Sequence, residues 1–299
     1  VGTLTVSEIA VDAWSGAIGL PLIGAALHPF LGVMIQRATK LGVRLTVMLG
    51  VANLITFAIF AVYLDPDFSA SFGFYDGLAV LNGLLFFWGQ WFSIQSVRNG
   101  DLVVHSSALG FKVLIVAVLS ASVGLEKAGP GLMGGAVLAT AAVYLVTGAT
   151  VERFKANAMT LWLTLLACVF FATNDFLTGW KSQEVGGPRW LMIMMFTAAL
   201  LSLGMLLSRW KDVRFALGQR KTGITVLGGG LALEVQALVV NLAFSMFREP
   251  ALSNIAYSTR GVMAVFFVWA LVKRCKEPLG WRQLLGAILM VVALGLVLI

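Results

Sequence analysis

The chain has 299 residues, of which 59% are hydrophobic and only 12% charged, and its mean hydropathy is +0.92. A soluble protein carries roughly 25% charged residues, so this chain falls outside that class; a surface so poor in charge is tolerable only where lipid replaces water. The net charge of +7 does not mark a nucleic-acid binder, because the lysines and arginines sit in short segments between apolar runs, the distribution that orients helices in a membrane.

Taken in chain order, residues 1–13 lack the basic start of a signal peptide and read as a tail or interfacial segment. Ten apolar runs follow, each near the 20 residues that a helix needs to cross about 30 Å of hydrocarbon. The first five are 14–34, 43–64, 77–97, 102–124 and 130–149, and the second five are 158–180, 189–208, 223–247, 251–272 and 279–299. The reading is therefore an all-α integral membrane protein with ten transmembrane helices: a five-helix unit at 14–149, a linker at 150–157 and a second five-helix unit at 158–299. The only connections of any size are the acidic, aromatic stretch 65–76 and the basic stretch 209–221, so no soluble domain is expected between helices. The segments after odd-numbered helices hold 15 Lys and Arg residues and those on the other side hold 4. Positive segments stay in the cytoplasm, which places the odd-numbered loops there and both termini outside.

A shift of 151 residues brings the two halves into register. Ser107, Gly110, Glu126 and Gly135 fall on Ser258, Gly261, Glu277 and Gly286, and with a one-residue adjustment Arg98 falls on Arg248. Five helices per half start the second copy on the opposite side of the bilayer, so the copies are expected to be inverted repeats, an arrangement common among transporters. This order of ten helices, two halves and a Glu turn before each closing helix resembles the drug/metabolite transporter superfamily, in its EamA-like branch. The resemblance implies a secondary carrier that opens a central cavity to each side in turn, lined mainly by helices 3, 4, 8 and 9. It also implies cytoplasmic termini, against the charge count.

Independently of any family, ionisable groups deep in a bilayer mark a site, because each costs at least ~2.5–3.5 kcal/mol there. Lys112 lies near the middle of helix 4, Glu234 of helix 8 and Arg260 of helix 9. If Glu234 neutralises one cation, the other is left for an acidic substrate group, and the Arg260 fork suits a carboxylate or phosphate. Ser253, Tyr257 and Arg260 share a face of helix 9, and Gly230, Glu234, Asn241 and Ser245 share a face of helix 8, so both faces are expected to meet a common cavity. Trp88 could stack on a bound solute, against the plainer reading of tryptophans as interface anchors. The substrate-binding set is then Arg260, Lys112, Glu234, Tyr257, Asn241 and Trp88, and the candidate proton relay is Glu234, Asp175 and His28. Each has a structural alternative: Lys112 with Glu234 as an ion pair pinning the halves, His28 and Asp175 as groups wetted near helix ends. His105, one turn after Asp101, reads as a solvated helix-start residue, and the run Gly228–Gly230 as a place for close packing or a hinge.

Two cysteines and two histidines build neither a disulfide framework nor a metal site, and no catalytic constellation or ATP-binding loop is present, so no enzyme activity, metal or cofactor is expected. The expected partners are a small-molecule substrate, membrane lipid and a coupling proton or exchanged solute, with the chain acting as a monomer or homodimer in a bacterial inner membrane. An exporter of cationic or neutral amphiphiles, with Glu234 holding the substrate, is the alternative within transport. A lipid flippase or a non-transporting assembly subunit is the alternative outside metabolite transport.

Overall fold

The computed structural model of the chain describes residues 6–63, 71–99, 101–127, 129–263, 267 and 281–297. Thirteen α-helices are described. In the first half they are α1 (Val6–Lys40), α2 (Leu45–Tyr63), α3 (Phe74–Asn99), α4 (Leu102–Ala108), α5 (Phe111–Ser122) and α6 (Pro130–Thr147). The connecting helix is α7 (Val151–Ala156). The second half has α8 (Ala158–Lys181), α9 (Gly187–Ser208), α10 (Trp210–Gly218), α11 (Arg220–Phe247), α12 (Pro250–Ser258) and α13 (Trp281–Val297). No strand occurs among the described residues.

Among the described residues, eight helical segments are long and apolar enough to cross a membrane: most of α1, then α2, α3, α4 with α5, α6, α8, α9 and α11. This is the architecture of an all-α integral membrane protein, in which every backbone amide must be satisfied within its own helix. Helix α13 is shorter, at 17 residues. Only the start of the expected ninth run falls within the described residues, as α12 and the turn after it. Start and stop signals are local. Pro130, Pro188 and Pro250 open α6, α9 and α12, where a missing N–H is no loss, and Gly148 closes α6 with φ +68°. Three segments expected to be tail or loop carry helix instead. Helix α1 begins at Val6, α7 occupies most of the linker behind a Thr150 cap that accepts from the Arg153 N–H at 3.3 Å, and α10 lies in the basic stretch. Arg44 reaches Asp212 of α10 at 3.3 Å, fixing it against the start of α2.

The halves meet helix by helix. Helix α1 packs on α11, α3 on α8, α2 on α9, α6 on α13, and α5 on both α8 and α12. The α6–α13 seam is packed on glycines. A Cβ at Gly131 would stand 2.7 Å from the Leu296 carbonyl oxygen, and one at Gly135 would run into Val297 Cγ2 and stand 3.0 Å from the Ala293 oxygen. One at Gly286 would stand 2.7 Å from Val146 Cγ2 and 2.9 Å from the Ala142 oxygen. Only glycine lets the backbones approach this far. As the α6 numbers rise the α13 numbers fall, so the two helices run antiparallel. Under the 151-residue offset Gly135 maps to Gly286, Ala142 to Ala293 and Val146 to Val297, so each half presents the same notch and the same knob to the other.

Helices α4 and α5 are one span with a tightened joint. Gly110, Lys112 and Val113 donate their N–H to the carbonyls three residues back, at 3.1–3.2 Å, in place of the four-residue spacing. The same joint follows α12, where the Thr259 N–H bonds the Ala256 carbonyl at 3.2 Å and helical geometry resumes over 260–263. Residues 108–110 and 259–261 are equivalent under the offset, and the joints place Lys112 and Arg260 beside them.

Candidate functional site

Lys112 does not pair with Glu234. Its Nζ lies 2.6 Å from Asp175 Oδ2 on α8, with the two side chains 11% and 6% exposed. The same Asp175 oxygen accepts from Asn254 Nδ2 of α12 at 2.9 Å, so one carboxylate joins α5, α8 and α12. The ammonium also stands over two rings, Phe171 of α8 and Tyr257 of α12, at 5.9 Å from each centroid. In a low-dielectric interior an ion pair holds only when its remaining polar capacity is filled, and Asn254 and the ring faces supply that here.

Arg260 lies against the same ring: its guanidinium carbon is 4.4 Å from the Tyr257 centroid. Among the described residues no carboxylate forms an ion pair with it. The Tyr257 hydroxyl in turn accepts from Gln236 Nε2 of α11, and the Gln236 side chain lies beside His28 of α1. Arg260 is also within electrostatic reach of His28, His105 and Cys168. The result is a polar cluster drawn from α1, α5, α8, α11 and α12, with one internally neutralised pair and one cation that no described carboxylate matches. Such a set can hold an anion at the guanidinium.

Of the residues expected at the site, the structure brings together Lys112, Arg260, Tyr257, Asp175 and His28. Glu234 is fully buried but on the wrong side of α11. It lies 200° around the helix from Gln236, on the flank where Gly230 abuts Ala52 and Ile55 of α2, and its Oε2 has no hydrogen-bond partner. Asn241, two turns on, shares that flank and donates to its own helix at the Ala237 carbonyl, 2.9 Å away. The polar face of helix 8 therefore exists, but Gln236 and not Glu234 is what α11 offers the cluster. Trp88 is 43% exposed on the outer surface of α3, ringed by Phe87 and Phe92, and is no part of the cluster.

Asn254, Gln236 and Phe171 were missed, and each carried a weak signal. Asn254 and Gln236 are amides in apolar runs, and Phe171 precedes Asp175 by one helical turn. His105 is buried, not solvated. Its Nδ1 lies 3.1 Å from Ser96 Oγ and 3.2 Å from Thr164 Oγ1, and its Nε2 lies 3.3 Å from Ser93 Oγ, so it ties α4 to α3 and α8. The turn spacing Thr160, Thr164, Cys168 on α8 is the trace of that contact in the sequence.

Comparison with known proteins adds a fold but no function. No protein-family model matches the chain, and no curated protein matches it. A solved structure described only as "Crystal structure of protein" superposes with a TM-score of 0.63 at 14% identity, over 94% of this chain and 96% of that one. At that identity the likeness speaks for the fold alone.

Outside the spanning segments, Glu126 between α5 and α6 accepts from the first free N–H groups of α12, Ala251 at 2.8 Å and Leu252 at 3.0 Å. It thereby ties the first half to the helix that carries Asn254, Tyr257 and Arg260. Burial pushes its carboxyl up from 4.5 to about 7, outweighing the two N–H groups that favour the charged form. Burial also raises nearby Glu249. At the same edge Arg189 grips Asp76 through Nε at 2.7 Å and Nη2 at 2.9 Å, a buried two-point contact between α9 and α3.

Proposed function

We propose that the chain is a secondary transporter that carries a small metabolite with an acidic group, such as an amino acid, organic acid or organophosphate, through the polar cluster between its halves. The observation that carries this reading is Arg260, a guanidinium matched by no described carboxylate and stacked on a buried tyrosine. An intramembrane arginine without a partner is expensive to keep unless something else supplies the negative charge.

Two further features support transport. The tightened joints beside Lys112 and Arg260 are discontinuities of the kind that transporter helices show at substrate sites. The helix contacts are also unchanged by exchanging the halves: α1–α11 becomes α8–α3, while α2–α9, α6–α13 and α5–α12 map onto themselves. With the antiparallel α6–α13 seam, this supports ten spans arranged as two inverted five-helix repeats, membership of the drug/metabolite transporter superfamily, and rocking of one half against the other. On this reading His28 and Asp175, both within the cluster, are the groups placed to exchange a proton with the substrate pathway, and a bacterial inner membrane is the fitting location.

The test is uptake into proteoliposomes across a panel of acidic metabolites. Arg260→Gln is expected to cut transport of the accepted solute by about tenfold or more, the smallest effect expected for loss of a charge-assisted contact in a dry site. Uptake that survives the substitution unchanged removes the anion-clamp reading.

A further inference from the structure

We infer that Asp175 sets the valence of the solute, so that the site accepts a singly charged anion and rejects a doubly charged one of similar size; this rests on the anion-transport reading above. The cluster contains three charged side chains among the described residues: Lys112, Asp175 and Arg260. Lys112 and Asp175 are joined at 2.6 Å, with Asn254 on the same carboxylate oxygen, so they cancel locally. Arg260 alone remains. Both neighbouring imidazoles, His28 and His105, are counted as neutral, the form of an ordinary imidazole above pH 6.5. Glu234 does not enter the balance, since it sits on the opposite flank of α11 from Gln236 and Tyr257.

A buried site with one net positive charge matches one negative charge. A second charge on the ligand meets no partner and is opposed by Asp175, whose partner Lys112 shares the Tyr257 ring with Arg260. The preferred solute is thus a small monoanion whose acid group lies at the Arg260 guanidinium, on the Tyr257 ring. The arrangement makes Asp175 a specificity-determining residue that acts by removing Lys112 from the count of available cations.

The experiment measures binding to the purified full chain by ligand-induced shift of its melting temperature, in mildly alkaline buffer, with two matched pairs: butyrate against succinate, and dimethyl phosphate against methyl phosphate. Wild type is expected to favour the monoanion of each pair by about tenfold or more. Asp175→Asn leaves Lys112 available and should invert both preferences. Lys112→Gln, with no net charge left in the cluster, should weaken both members of each pair. The double variant Lys112→Gln/Asp175→Asn should restore the wild-type order, and because it leaves no buried charge orphaned it serves where the single variants do not fold. Equal binding of both members by wild type, an unchanged order in Asp175→Asn, or loss of monoanion binding in the double variant overturns the inference while leaving an anion site intact. Failure of wild type to bind any of the four probes removes the anion site, and the transport reading with it.

Discussion

Two of the seams between the halves have opposite character. Between α6 and α13 the contact is made of Gly131, Gly135 and Gly286 set against backbone carbonyls. Between α5, α8 and α12 it is made of Lys112, Asp175, Asn254, Tyr257 and Arg260, with a tightened helix joint on either side. In the first seam affinity comes from dispersion at close range, which a single added carbon disrupts. In the second it comes from charge and hydrogen bonds, which can be rearranged by a ligand of the right chemistry without emptying space. The contrast separates a fastening from a working surface.

The sharpest way to break that contrast is Gly286→Val. Its Cβ would meet the Ala142 carbonyl oxygen at 2.9 Å, and backbone cannot step aside as a side-chain tip can. A loss of about 1–3 kcal/mol of stability is expected, read as a lower melting temperature, with the monoanion-to-dianion preference of the surviving protein unchanged. A shifted ligand preference would mean that the seams are not separate. Glu126→Gln ranks next, because Glu126 links the two regions through the first turn of α12. Its folded pKa lies above its unfolded value, so its contribution to stability is fully present below about 4.5 and fades as pH rises through about 7. Melting temperature measured across that window should fall with rising pH in wild type, and the slope should flatten in the glutamine variant. A slope of equal size in both would assign the pH response to another group. The smallest effect is expected from Trp88→Ala. On the exposed face of α3 beside Phe87 and Phe92, its removal should change stability by no more than about 0.5 kcal/mol and leave uptake untouched.

How far these features could be read in advance depended on what kind of constraint wrote them. Long apolar runs record a demand of the solvent, and the positions of α2, α3, α8, α9 and α11 fall within a few residues of where the runs end. The 151-residue offset was visible for the same reason, since both copies answer the same packing requirement at Gly135 and Gly286. Which ionisable groups meet was less visible. Along its own helix Asp175 lies near an end, and only the packing of α5 on α8 brings it to Lys112. Glu234 is buried, but depth says nothing about azimuth, and α11 turns Gln236 toward Tyr257. His105 reads as a solvated cap because the burial it experiences comes from α3 and α8, which lie far away in sequence. Patterns along one helix report how deep a residue sits; only tertiary packing decides what it faces.

The self-matching of the α6–α13 seam has a consequence for assembly. A contact in which each half offers an identical notch and an identical knob is isologous, the geometry by which two copies of one subunit form a closed pair. Each half therefore already contains everything that this fastening requires, and the helix α7 that joins them turns a bimolecular encounter into an internal one. Docking of the second unit on the first is then independent of how much protein the bilayer holds, so dilution in lipid should loosen neither seam.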